Sequence, residues 1–127
     1  MAFDVPLSQR RSAIYLSIYG GRLFGGADGT SYHDVLIAAG LRDAAGAFRD
    51  WPELSVEQVL VLDPDVIVTN VGMRSSICGH AGLSALRACQ APMVVEVDDG
   101  VLGDPGPGMA ESARRVRDAV YGVRRRL

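Results

Sequence analysis

Between Leu54 and Asn70 the chain reads LSVEQVLVLDPDVIVTN, and the spacing of its apolar residues changes midway through. Ser55 followed by Gln58 is a capping-box pattern, with Leu54 and Val59 as the matching hydrophobic staple, which predicts a helix beginning at Val56. Asp63-Pro64 ends that helix, because proline disfavours helical backbone in the residue before it and has no N–H to donate. Val66, Ile67 and Val68 then form an unbroken β-branched run, the pattern of a strand buried on both faces. Each such side chain contributes about 1.5–3 kcal/mol when fully buried. A helix feeding a doubly buried strand predicts a parallel sheet held between layers of helix.

The remaining segments fall around this unit. Residues 1–12 form a polar lead-in carrying Pro6, and residues 13–127 form one lobe. Ala13 to Ile18 reads as the first strand, followed by an irregular loop from Tyr19 to Gly29 with five glycines. Thr30 or Ser31 caps the next helix, which buries Val35, Leu36 and Ala39 and stops at Gly40. A connector from Arg42 to Glu53 holds the single tryptophan, Trp51. Beyond the central strand, Asn70 to Gly82 is a second loop, Leu83 to Cys89 a short helix, and Met93 to Val97 a third strand. A third loop, Asp98 to Gly108, precedes a closing helix marked by Met109, Ala113, Val116, Val120 and Val123 at alternating spacings of four and three. The expected fold is a three-layer α/β/α lobe with a mainly parallel sheet. All three loops then lie at the C-terminal edge of the strands, where open parallel sheets bind ligands.

Composition narrows the chemistry. At 127 residues the chain is one domain by length, and its 48% hydrophobic content suffices for a core. A net charge of −2 argues against a nucleic-acid partner. All 13 basic residues are arginine, which removes any mechanism needing a Schiff-base or phosphate-loop lysine. No apolar run is long enough to span a membrane, and the first residues lack the pattern of a signal peptide. Cys78 and Cys89 fit no metal motif. At opposite ends of a helix over Leu83 to Cys89 they are too far apart for a relaxed bridge, so two inert, partly buried thiols are expected, with a disulfide as the alternative.

The motifs that suggest catalysis are incomplete. Gly20 to Gly25 and Gly21 to Gly26 have the gap of a phosphate loop, but no Lys-Ser/Thr follows. Ser31 near His33 lacks a nucleophile elbow and is better explained as a helix cap. His33 and His80 are too few and too far apart for a metal site, and Asp98-Asp99-Gly100 lacks the further acids of a calcium loop. Glu57, in the first helical turn, complements the helix dipole and points a carboxylate outward. The arginines at 114, 115, 117 and 124–126 suit a solvated helix face.

The segments GTSYHDVLIAAGL, WPELSVEQVLVLDPDVIV, GHAGLSAL and PMVVEVDDGVLGDPGPGMAESARRV, in that order, resemble the C-terminal lobe of the substrate-binding proteins that serve ABC importers of ferric siderophores, haem and cobalamin. The likeness runs from Ala13 to Gly122 and is most specific at Ser55, Glu57, Leu60, Pro64, Asp65, Val66, Ile67 and Val68. It implies a periplasmic or extracytoplasmic, non-enzymatic protein that holds a chelate between two lobes and docks on an ABC permease subunit. By this resemblance Glu57 is the permease-docking acid, and Tyr19 and Trp51 place aromatic rings against the ligand. Gly20, Gly21 and Arg74 are further ligand-binding candidates on the loops. No cofactor or metal is expected beyond the carried ferric siderophore, haem or cobalamin. An N-terminal lobe, a spanning helix and a secretion signal are absent from this sequence, so one jaw of a clamp is expected, binding weakly or not at all by itself. The rival reading is a small α/β nucleotide-binding or enzymatic domain using the glycine-rich loop, and a third is an interaction module without a ligand.

Overall fold

A computed structural model describes residues 9–26, 29–46, 48–80, 82–90, 93–97 and 107–122. In chain order the elements are β1 (Ser12–Tyr19), β2 (Arg22–Gly25), α1 (Ser31–Ala38), β3 (Arg42–Asp43), β4 (Glu53–Leu54), α2 (Val56–Leu62), β5 (Val66–Asn70), α3 (Arg74–Cys78), a 3-10 turn at Leu83–Ala85, α4 (Arg87–Gln90), β6 (Val94–Val97) and α5 (Pro107–Tyr121). The main path of the sheet is β4-β2-β1-β5-β6, and β3 also pairs with β1. β1, β5 and β6 are parallel, with Ile14 opposite Ile67 and Ile67 opposite Val94. β2 and β4 are antiparallel additions at one side.

Two apolar clusters lie on the two faces of this sheet, as alternation along doubly buried strands requires. Ala13, Tyr15, Val66 and Val68 pack with Val35, Leu36 and Ala39 of α1 and with Ala113, Val116 and Val120 of α5. Ile14, Leu16 and Ile67 pack on the other side with Val59 of α2, Ile77 of α3, Leu83 and Leu86. The fold is therefore the three-layer sandwich expected, with a mixed but mainly parallel sheet.

The central unit forms as its residues dictate. Ser55 Oγ accepts from Gln58 N at 3.0 Å while Gln58 Oε1 accepts from Ser55 N at 2.8 Å, completing the capping box of α2. Asp63 ends the helix in left-handed conformation, φ 39°. Asp65 then fastens the start of β5 to β1: its carboxylate accepts from Ser12 N at 3.1 Å, and its own N–H donates to Ser12 Oγ at 3.1 Å. α1 ends in a Schellman arrangement, with Gly40 N bonded to Ile37 O and Leu41 N to Leu36 O, both at 3.0 Å.

Several expectations need correction. The glycine-rich stretch after Tyr19 is not an open loop at its start: Gly20 and Gly21, both at positive φ, form a two-residue reversal that turns Arg22–Gly25 back onto β1. Positive φ at both central positions matches the right-handed twist of a hairpin, which makes Gly-Gly a hairpin signal. The stretch from Arg42 to Glu53 likewise contains β3 and β4 at its ends. The cap of α1 is Thr30, whose Oγ1 accepts from His33 N at 3.2 Å, and Ser31 is the first helical residue. The Leu83 to Cys89 segment is broken at Leu86, whose backbone is extended, into the 3-10 turn and α4. That break lets the chain fold back, so Cys78 and Cys89 come within 5.6 Å between Cα atoms and are disulfide-bonded. Within the loop expected from Asp98 to Gly108, residues 98–106 lie outside the described part, as does Val123.

Candidate ligand cleft

β1 is longer than the strands it runs beside, and β2 folds back against its last four residues. Alternation puts Tyr15, Ser17 and Tyr19 on one face of β1. Phe24 sits opposite Ser17 in register on β2, and its ring lies 6.2 Å from that of Tyr19. β4 adds to the far side of β2, pairing Leu23 with Leu54, and the Gly25 N–H donates to Pro52 O at 2.9 Å. This docking carries the adjoining Trp51 over the same face. Tyr32, in the first turn of α1, closes the group from the helix side.

The result is a cleft of about 420 Å³ lined by Tyr15, Ser17, Tyr19, Phe24, Tyr32 and Trp51. Tyr15 and Tyr32 stack, and the Trp51 ring meets both edge-on at 6.2 and 5.2 Å between centroids. Tyr15 Oη donates to Asn70 Oδ1 at 2.6 Å, which ties the group to the C-terminal end of β5. Tyr19 is 62% exposed and Trp51 51%, so both present ring surface to the outside. Apolar, polarisable walls of this kind favour a flat conjugated surface. The described lining side chains carry no formal charge.

Tyr19 and Trp51 are thus brought together. Gly20 and Gly21 form the hairpin turn beyond Tyr19, facing open space, and do not line the cleft. Arg74 is exposed at the start of α3 on the same edge of the sheet, where its N–H and that of Gly72 each donate to Glu96 Oε2 at 3.0 Å. It too lies outside the lining. Sequence reasoning missed Tyr15, Ser17, Phe24 and Tyr32; reading Gly-Gly as a hairpin would have put the first three on one wall. It also missed Gly26, where a Cβ would stand 3.0 Å from Tyr32 Cβ, 3.1 Å from Tyr15 Cδ2 and 3.3 Å from Trp51 Cζ3.

Glu57 is elsewhere. It is exposed on α2, which covers the opposite face of the sheet, beside a shallow groove of about 300 Å³ lined with Phe48, Gln58, Val61 and Leu62. A third hollow, of about 490 Å³, lies at the N-terminal ends of the strands between Arg11, Asp65, Arg87, Gln90 and Met93. Its charges answer one another: Arg87 binds Asp63 at 2.9 Å and Asp65 at 3.0 Å, and Arg11 lies over the Tyr121 ring. Among the described residues no His, Cys, Asp and Glu group is arranged to hold a metal ion. The glycine stretch, folded as a hairpin with no helix directly after it, does not form a phosphate cradle.

Comparison with known proteins gives this architecture its context. The chain aligns with 93% coverage on 49% of the periplasmic haem-binding protein HutB of Vibrio cholerae, at TM-score 0.82 and 20% identity. The chain has the fold of half a solute-binding protein. An Fe3+-hydroxamate transport protein of Saccharomonospora viridis matches over 91% of the chain and 43% of its own length, at TM-score 0.79 and 21% identity. A possible iron-binding, periplasmic solute-binding protein of Staphylococcus epidermidis matches over 89% and 46%, at TM-score 0.78 and 18% identity. By sequence, an uncharacterized ABC transporter substrate-binding lipoprotein of Bacillus subtilis, YvrC, is 25% identical over 93 residues, covering 72% of this chain and 30% of that protein. The chain therefore spans less than half the length of each of these relatives. No family model matches.

Proposed function

We propose that this chain is one jaw, the C-terminal lobe, of an extracytoplasmic substrate-binding protein that delivers an iron complex, haem or a cobalamin-type macrocycle to an ABC importer. The supporting observation is the aromatic cleft itself, set at the C-terminal edge of the parallel strands in a fold shared with half of several solute-binding proteins. Tyr19 and Trp51 supply exposed ring faces to the chelate, and a second lobe closes over it. Arg74, at the same edge but outside the lining, donates to a polar group on the part of the ligand that projects beyond the cleft, and Gly20 and Gly21 keep the hairpin tip narrow beside it. Glu57, on the opposite face, is the contact for the permease, so docking and capture use separate surfaces. The work is capture and release, with no catalytic step.

The Cys78–Cys89 disulfide supports an oxidising, extracytoplasmic setting, where such bonds persist. Among the described residues no helix is long and apolar enough to cross a membrane. Fluorescence of the single tryptophan, titrated with haemin, cyanocobalamin and a ferric hydroxamate, tests the reading. Saturable quenching by one of them supports it, and no response to any, from the chain or from the two-lobed protein, contradicts it.

A further inference from the structure

Ser17 is 1% exposed in the lining of the aromatic cleft, and its Oγ is buried with no hydrogen-bond partner among the described residues. A buried hydroxyl left unsatisfied costs folding free energy, and most such groups in native proteins are paired. This sheet pairs its other buried hydroxyls. Thr69 on β5 donates to Leu16 O at 2.7 Å, and Ser12 at the start of β1 is bonded to Asp65. Alanine at position 17 would occupy the same place without the cost. The hydroxyl stands between Tyr15 and Tyr19 on β1 and opposite Phe24 on β2, so a ring that wedges these aromatics apart brings its edge to Ser17 Oγ.

We propose that Ser17 is the hydrogen-bonding anchor of this cleft. It selects a conjugated ring system whose edge carries an uncharged polar group, such as an amide, over one edged by carboxylates. The preference follows from the lining. Neutral aromatic walls and the Ser17 hydroxyl satisfy an amide, which desolvates at modest cost, but leave a carboxylate without a compensating charge. This inference rests on the capture reading of the cleft and adds the ligand's chemistry to it.

The test is equilibrium titration of the chain and of its Ser17→Ala variant with cyanocobalamin, a macrocycle fringed by amides, and with haemin, fringed by carboxylates, together with thermal unfolding of both proteins without ligand. The variant should bind cyanocobalamin about two- to tenfold more weakly, the range of one neutral hydrogen bond. Its haemin affinity should stay within about twofold, because haemin makes no bond to this hydroxyl. Its melting temperature should rise by a few degrees, where loss of a merely structural hydroxyl would lower it. Unchanged cyanocobalamin affinity, a greater loss for haemin than for cyanocobalamin, or wild-type binding of haemin alone overturns the inference and leaves the capture reading intact. Binding of neither probe by the wild type overturns the inference, and the capture reading falls with it only where a ferric hydroxamate fails to bind as well.

Discussion

The rings of Tyr15 and Tyr32 lie 3.8 Å apart between centroids and 19° from parallel, joining β1 to α1 at the mouth of the cleft. A side chain at Gly26, where the chain leaving β2 passes against both rings and against Trp51, would press them aside by a few tenths of an ångström. The wall of the cleft is thus held by close backbone approach, with the aromatic rings packed around a residue that has no Cβ.

Gly26→Ala is therefore expected to destabilise the chain by about 1–3 kcal/mol, the cost of overpacking a tight contact. It should also change the near-ultraviolet circular dichroism of the displaced rings. Chemical denaturation and the dichroism spectrum check this together; an alanine variant as stable as the wild type with an identical spectrum would show that the aromatic group does not depend on that approach.

Cys78 and Cys89 close a short loop between α3 and α4, and the bond should stabilise the folded chain by about 2–3 kcal/mol. Titration of thiols under denaturing, non-reducing conditions should find none in the native material. After reduction the denaturation midpoint should fall correspondingly. Two titratable thiols in protein purified from an oxidising compartment would refute the pairing.

The layering of the fold was legible because its signals are local. Ser55, Gln58 and Pro64 mark the ends of α2, and Val66 to Val68 announce a strand covered on both sides. The aromatic cleft was only half legible. Tyr19 and Trp51 stand out as exposed rings beside glycine and proline, but Tyr15 and Tyr32 are ordinary core residues in a linear reading. They join the cleft because β1 and α1 pack at that point. The disulfide was missed for a related reason. Its geometry depends on the extended backbone at Leu86, and nothing in LSALRAC compels a break there. The glycine pair shows the reverse failure: a two-residue hairpin signal was present at Gly20-Gly21, and the richness of glycine around it concealed which two residues made the turn.

Glu57 and the cleft lie on opposite faces of the sheet, so their roles should separate experimentally. In a reconstituted importer carrying the two-lobed protein, Glu57→Ala should leave chelate affinity within about twofold while slowing transport by about tenfold, the equivalent of one charge-assisted hydrogen bond. Equal loss of affinity and transport would remove the docking role.

The central claim is that the exposed face of Trp51 takes up a conjugated chelate, and the most direct measurement is an absorbance-detected titration of the chain and its Trp51→Ala variant with haemin and cyanocobalamin in parallel. Trp51 is half exposed and packs edge-on against Tyr15 and Tyr32, so its removal should lower the melting temperature by a few degrees while leaving the chain folded. Affinity for whichever chelate the wild type binds should fall by about 1–3 kcal/mol, roughly five- to 150-fold, as expected for a lost aromatic anchor. Equal affinities of wild type and variant for that chelate would contradict the account.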